Sequence, residues 1–293
     1  MNIADAFNRH KAAVAQIQIF QRAARLGVKQ ELDRLATFEQ SFDGAASHPA
    51  APFSMHKMWF YEATSGARHF FGHTVQDFAE IKMSLVLQQN KQYQWLLVEC
   101  YEAFREYVVE AFAIACFHDH SFCRGADFGC AALSELSEKP FDWFLQKLQK
   151  KSQDESLSIL NRFGVMLPAV LCAETANCIG VNLRLAVCLI ANMRHVIVHK
   201  RGKVSDKKQF IDKTFETSGL SPLGEAAKAH REFMEVFFGL DLMSNTIVLL
   251  EIPTDCTLHI VVHTDVFEKL SSYLLAYAHL LKVSLEEYLT SKT

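Results

Sequence analysis

The chain has 293 residues, half of them hydrophobic, a formal net charge of -3 and a sequence pI near 6.5. A chain of this length and apolar content can bury a core without disulfide staples, and its charge excludes a protein that coats nucleic acid through overall charge. Its eight cysteines lie mostly in apolar runs, which favours a reducing compartment over a disulfide framework.

Neither a secretory signal nor a membrane span is predicted. The N-terminal stretch MNIADAFNRHKAAVAQIQIFQRAARLG carries acids and bases from its start and lacks an apolar stretch and a small-residue cleavage site. The most apolar region, 165–198, is interrupted by four polar or charged residues, Glu174, Asn177, Asn182 and Arg184. No uncharged stretch there approaches the roughly 20 residues that span a bilayer. We therefore expect a soluble, cytoplasmic protein.

Apolar residues recur at helical spacing along most of the chain. The pattern predicts one or two helices over 2–42 with a break at Gly27, and two more over 74–117 separated at QQNKQYQ. Further helices are predicted over about 140–150, 155–163, 168–178, 181–199, 223–236 and 265–289, with a basic, polar loop over 200–222. The stretches NTIVLLEI and TLHIVVH, on either side of PTDC, predict a hairpin or a pair of edge strands.

The helix predicted over 181–199 ends in the stretch ANMRHVIVHKRGKV, which combines apolar residues with an arginine and two histidines. Arg194 falls in an apolar stripe with Leu183, Val187, Ile190 and Ile197, so its charge needs an acid, a group of carbonyls or an anionic ligand. The planar guanidinium suits phosphate because it donates two parallel hydrogen bonds and does not titrate.

His199 lies near the predicted end of the same helix, where Gly202 is placed to stop it. The helix dipole there favours imidazolium and keeps a titratable proton near neutral pH. An arginine and a histidine together suffice for phosphodiester cleavage without a metal. The two residues lie about 140° apart around an ideal helix, so they converge only if the helix end unwinds or a second subunit completes the site.

The segment RHVIVHKRG resembles the R-x(4-6)-H signature of the HEPN superfamily. This resemblance implies an all-helical up-and-down bundle that dimerises around a composite cleft. Active members of the family are metal-independent endoribonucleases, found largely in prokaryotic toxin, antiviral and abortive-infection systems. They use the 2'-hydroxyl of the substrate and leave a 2',3'-cyclic phosphate and a 5'-hydroxyl.

Carried onto this sequence, the resemblance makes Arg194 and His199 the catalytic pair. His195 stands where the family often has Asn or Asp and is a supporting residue, and Glu102 or Glu99 on the acidic helix at 92–117 is the partner of Arg194. Three basic residues, Lys200, Arg201 and Lys203, are expected to attract the RNA backbone.

The predicted fold is a mainly α, HEPN-like helical bundle with additional N-terminal helices and a small C-terminal β-hairpin plus helix. Its segments are 1–52, 53–239 and 240–293, integrated in one domain, and no function is derived for the last. The predicted function is a homodimeric endoribonuclease that needs no cofactor, with RNA and a regulatory or antitoxin protein as partners. Two alternatives stay open: an inactive HEPN-like module for dimerisation or for binding a nucleotide or protein, and a small-nucleotide phosphodiesterase.

No metal site is predicted. His195 and His199 have zinc-like spacing, but the glutamate of H-E-x-x-H is missing. The loop that carries Cys116, His118, His120 and Cys123, with Cys130 beyond, matches no standard zinc finger. An ordinary loop is favoured there over a structural zinc site.

Overall fold

Helices make up most of the structure, a computed structural model that describes residues 2–42, 53–54, 58–72, 75–124, 128–129, 133–150, 155–254 and 262–292. The helices are α1 Ile3–Phe42, α2 Phe78–His118, α3 Phe141–Gln149, α4 Glu155–Met166, α5 Pro168–Thr175, α6 Leu183–Lys200, α7 Lys207–Ser218, α8 Glu225–Glu235 and α9 Val266–Lys292. The mainly α class is confirmed.

The strands form three separate antiparallel pairs. β1 (Phe53–Ser54) pairs with β4 (Val75–Gln76), β2 (Met58–Tyr61) with β3 (Arg68–Phe71), and β5 (Glu251–Thr254) with β6 (Val262–Asp265). The segment 53–239, predicted as a helical core, begins with these first four strands. Residues of high strand propensity on both sides of a turn, MWFY and RHFF, favour the hairpin β2–β3.

The predicted C-terminal hairpin is present with different bounds. Its first strand begins at Glu251 and not at Asn245, and most of TLHIVVH lies outside the described residues. Thr246 and Ile247 instead form isolated bridges with Lys203 and Phe238.

The chain forms two compact units, one made of 1–19 with 93–293 and the other of 20–92. These limits do not coincide with the segment boundaries at 52/53 and 239/240. Helices α1 and α2 each run from one unit into the other. The functional residues singled out by the sequence all belong to the first unit.

Two predicted helix breaks are absent. α1 is continuous through Gly27, where a glycine costs a helix only about 1 kcal/mol relative to alanine. α2 is continuous through QQNKQYQ. Within that polar run, Gln94 is buried and its Nε2 donates to the carbonyl of Ile247 at 2.7 Å, so a polar residue here is satisfied without leaving the helix.

Helix α6 is the central helix of the larger unit and packs against α5, α7 and α9. Asn182 caps its start, where Oδ1 accepts from the backbone N–H of Leu185 at 2.8 Å. The first two turns, Leu183 to Ile190, are buried throughout. In the part of the chain that is described, no single helix is long and apolar enough to span a bilayer, and one bent pair, α4 with α5, passes by length and composition only.

Helix α7 corrects the prediction of a loop over 200–222. Asp206 caps it, since its Oδ1 accepts from the backbone N–H groups of Lys208 and Gln209 at 2.8 and 3.2 Å. Phe210 and Phe215 are buried on its inner face. The many lysines and acids of this segment favour a loop in the sequence, although the segment forms a short amphipathic helix.

Candidate functional site

The C-terminal half of α6 has one solvent-facing stripe. Ala191, Arg194, His195, Val198 and His199 are half-buried or exposed, at the spacing of one helical face. Met193, Val196 and Ile197, between them, are buried. The stripe therefore presents the arginine and both histidines on the same side of the molecule.

Arg194 is bound to Glu102. Its Nε donates to Oε1 of Glu102 at 2.9 Å, and its Nη2 lies 2.7 Å from the same oxygen. The second carboxylate oxygen, Oε2, accepts from Nε of Arg105 at 2.8 Å. The Arg194 and Glu102 side chains are only 19% and 27% exposed, so the pair holds the guanidinium in one orientation. The predicted contact of Arg194 with an acid of α2 is confirmed for Glu102.

A cavity of about 390 Å³ opens beside this ion pair. Arg194, Glu102, Arg105, His195 and Lys213 are among its lining residues. Three cationic side chains therefore face the cavity against one carboxylate, which makes it suitable for an anionic group.

A second cavity, of about 470 Å³, lies between α6 and the start of α7. His195, Lys200, Asp206 and Lys213 are among the residues that line it. Asn192, His195 and Lys213 line both cavities, so these residues separate two neighbouring depressions of one surface.

The two histidines contact each other. Their ring centroids are 4.7 Å apart with the planes inclined by 50°. Desolvation lowers the pKa of His195, and the nearby charges of His199, Lys213, Lys200 and Arg194 lower it further. His195 is therefore neutral at neutral pH and can accept a proton or a hydrogen bond.

Arg194 and His199 do not share a cavity in the single chain. α6 stays helical through Lys200, so the helix end does not unwind to bring them together. His199 lines neither of the two cavities, whereas His195 lines both and contacts His199.

The predicted RNA-binding residues separate into two groups. Lys200 lines the larger cavity. Arg201 and Lys203 are exposed at the corner after α6 and line neither cavity. Lys213 lines both cavities and is not predicted from the sequence, because the polar stretch 200–222 predicts a loop. The signal that could have found it is the capping residue Asp206 followed by apolar residues at helical spacing.

The corner after α6 is held by the C-terminal part of the chain. Arg201 and Gly202 are both left-handed, with φ of 55° and 80°, and the N–H of Gly202 donates to the carbonyl of Val196 at 3.2 Å. The backbone N–H of Ile247 donates to the carbonyl of Gly202 at 2.9 Å. A segment to which the sequence assigned no function therefore fixes the end of the helix that carries the site.

No group of three or more His, Cys, Asp or Glu side chains that could hold a metal ion occurs in the described ranges. In the cysteine- and histidine-containing loop, Asp119 caps a short 3-10 helix over His120–Phe122 by accepting from the N–H of Ser121 at 2.9 Å. Cys130 lies outside the described residues.

Comparison with protein-family models, with curated proteins and with solved structures finds no match for this chain.

Proposed function

We propose that this protein is a metal-independent endoribonuclease of the HEPN type that acts as a homodimer and leaves 2',3'-cyclic phosphate and 5'-hydroxyl ends. The observation that carries the proposal is the solvent-facing stripe of α6, on which Arg194, His195 and His199 lie. Lys213 lines both neighbouring cavities, and Lys200 lines the larger one. These are the residue types that hold a phosphate and move a proton.

Arg194 is assigned to the scissile phosphate. Its guanidinium is fixed by Glu102 and faces the smaller cavity, so charge that develops on the phosphate meets a cation that needs no rearrangement. Arg105 and Lys213 line the same cavity and add to its positive potential.

The histidines are assigned to proton transfer. The 2'-oxygen attacks phosphorus while its proton passes to a base, and the bond from phosphorus to the 5'-oxygen breaks as an acid protonates that oxygen. A single His199 in the composite site fills both roles in turn, since it takes the proton from the 2'-hydroxyl and then donates it to the 5'-oxygen. His195 contacts His199 and borders the cavity of Arg194, so it is assigned a supporting role beside His199.

The deciding experiment is RNA cleavage in EDTA by the wild type, Arg194→Ala and His199→Ala, with analysis of the product ends. We expect cyclic-phosphate ends from the wild type and losses of about 100-fold or more in both variants, the usual contribution of one charge-stabilising or proton-transferring group. Arg34→Ala and His263→Ala, which alter an ion-paired arginine and an exposed histidine elsewhere, should retain full activity.

The ion pair also favours a second candidate, an inactive module in which α6 mediates dimerisation. Nε and Nη2 of Arg194 both bind Glu102, and a part-buried pair of this kind can be purely structural. A folded, dimeric wild type that cleaves no RNA, with Arg194→Ala weakening dimerisation, would favour the module. Cleavage restricted to short nucleotides would favour a small-nucleotide phosphodiesterase.

A further inference from the structure

The hairpin β2–β3, in the unit of 20–92, exposes an unusual amount of apolar surface. All eight of its strand residues are exposed. Six of them are large and apolar: Met58, Trp59, Phe60, Tyr61, Phe70 and Phe71. Exposed apolar side chains clustered in this way indicate a site of interaction.

The strand register divides these side chains between two faces. Trp59 pairs with Phe70 and Tyr61 with Arg68, so these four residues form one face, called here the Arg68 face. The opposite face carries Met58, Phe60, His69 and Phe71. The two faces are alike in aromatic content, but only the Arg68 face has a permanent cation.

The guanidinium of Arg68 lies over two aromatic side chains of its own face. Its guanidinium is 4.5 Å from the centroid of the Trp59 ring and 5.7 Å from that of Tyr61. Its Nη2 also donates to the Tyr61 hydroxyl at 3.3 Å. The result is a set of planar, solvent-accessible groups beside a positive charge, which is the chemistry that binds unpaired bases by stacking.

The turn of the hairpin argues against a lipid surface as the partner. Glu62 occupies its start, where it accepts from the hydroxyls of Thr64 (3.2 Å) and Ser65. Insertion of the hairpin tip into a bilayer would bury that carboxylate at a cost of several kcal/mol. Over 56–73 the sequence also has two permanent cations, Lys57 and Arg68, and one acid. This excess of positive charge is complementary to a phosphodiester backbone.

We propose that the Arg68 face binds single-stranded nucleic acid. Bases stack on Trp59, Tyr61 and Phe70, and Arg68 contributes a stacking plane and charge toward the backbone. This binding site lies outside the unit that contains α6 and does not depend on cleavage there.

The experiment measures binding of the full chain to a fluorescent oligodeoxyadenylate of about 12 nucleotides, a length within the usual site size of such proteins. An oligodeoxynucleotide has no 2'-hydroxyl, so the result is independent of the proposed nuclease reaction. We expect Phe70→Ala to weaken binding about tenfold, the loss typical of one stacked base. Phe71→Ala should leave it unchanged, since these neighbours are 60% and 51% exposed but lie on opposite faces.

Two further measurements keep the test independent of hairpin folding. The wild type should show oligonucleotide-dependent quenching of tryptophan fluorescence that Trp59→Phe removes, and an abasic oligonucleotide of equal length should bind at least tenfold more weakly. Equal effects of Phe70→Ala and Phe71→Ala, equal binding of the abasic strand, or unchanged quenching in Trp59→Phe would overturn the proposal. So would binding to phosphatidylcholine and phosphatidylserine vesicles without binding to the oligonucleotide.

Discussion

The side chain of Gln94 occupies the space into which any Cβ at residue 202 would project. A Cβ built on Gly202 comes within 3.0 Å of the carboxamide atoms of Gln94, and Gly202 also has φ of 80°. Gln94 is buried and binds the carbonyl of Ile247, whose N–H binds Gly202. α2, the end of α6 and the C-terminal segment therefore meet at a single glycine.

Gly202→Ala should lower the free energy of unfolding by about 2 kcal/mol or more. The left-handed backbone costs an alanine about 1 kcal/mol, and displacement of Gln94 removes a hydrogen bond that contributes about 1 kcal/mol more. Urea unfolding measures the sum.

Two other glycines separate the cost of the left-handed backbone from the cost of displacing Gln94. Gly219 has φ of 74° and nothing within 4 Å of a built Cβ, so Gly219→Ala should show the backbone cost alone. Gly27→Ala, inside α1 with open space around it, should be stabilising by about 0.5 to 1 kcal/mol. If Gly202→Ala lowers the free energy of unfolding no more than Gly219→Ala does, the contact with Gln94 does not contribute to stability.

The positions of most helices could be predicted from apolar periodicity, because this signal is present in the local sequence of each helix. α3, α4, α5, α6, α8 and α9 lie close to their predicted ranges. The features that the sequence did not predict depend on residues far apart in the chain or on a single capping residue. Gln94 stays inside α2 because Ile247, far along the chain, accepts its hydrogen bond. α7 depends on one capping residue, Asp206.

The site could be predicted only in part for the same reason. The motif singles out Arg194 and His199, and the resemblance implies Glu102 or Glu99 as the partner of Arg194. The sequence does not reveal that Lys213 and His195 border both cavities, because that placement arises from the packing of α7 against α6.

The coupling between Arg194 and Glu102 should be about 1 kcal/mol in a double-mutant cycle with Arg194→Met and Glu102→Gln, as expected for a part-buried, hydrogen-bonded pair. The exposed pair Arg34 and Glu31 is the matched control and should give a clearly smaller coupling, because solvent screens its charges. Urea unfolding of the four members of each cycle provides both values. Equal coupling in the two cycles would contradict a structural contribution from the Arg194 pair.

Mixed dimers test whether two subunits build the proposed site. In the proposed homodimer, Arg194 of one subunit and His199 of the other form each site, because α6 does not unwind to bring them together within one chain. A dimer of Arg194→Ala with His199→Ala then retains one site with both residues. We expect RNA cleavage to return when the two inactive variants are mixed under conditions of subunit exchange. Mixtures that stay inactive, although exchange is demonstrated by mass, would contradict a composite site.

His195→Asn should preserve RNA cleavage, while His195→Ala should lower it by roughly tenfold, the effect of about one hydrogen bond. The expectation rests on the resemblance, in which an amide or a carboxylate often occupies this position, and on the contact of His195 with His199. Initial rates of both variants at several pH values provide the test. Equal rates for Asn and Ala would indicate that hydrogen bonding at residue 195 plays no part.

Stability should fall in acid because of His10. Its ring is buried and stacks on Tyr107 with centroids 5.4 Å apart, and desolvation lowers the pKa of His10 to about 4. Between that value and the ordinary pKa of 6.5, the unfolded chain binds more protons than the folded one, so the free energy of unfolding decreases as the pH falls. The loss approaches about 3 kcal/mol near pH 4.

The difference between the wild type and His10→Leu isolates this contribution. Glu174 acts in the opposite direction, since burial raises the pKa of its carboxyl and the folded chain then holds the proton more tightly. That effect is common to both proteins and cancels in the difference. Urea unfolding from pH 7.5 to 4.5 should show the wild type losing stability faster than His10→Leu as the pH falls below about 6.5. Parallel curves would mean that His10 is solvated or paired with an acid in the folded protein.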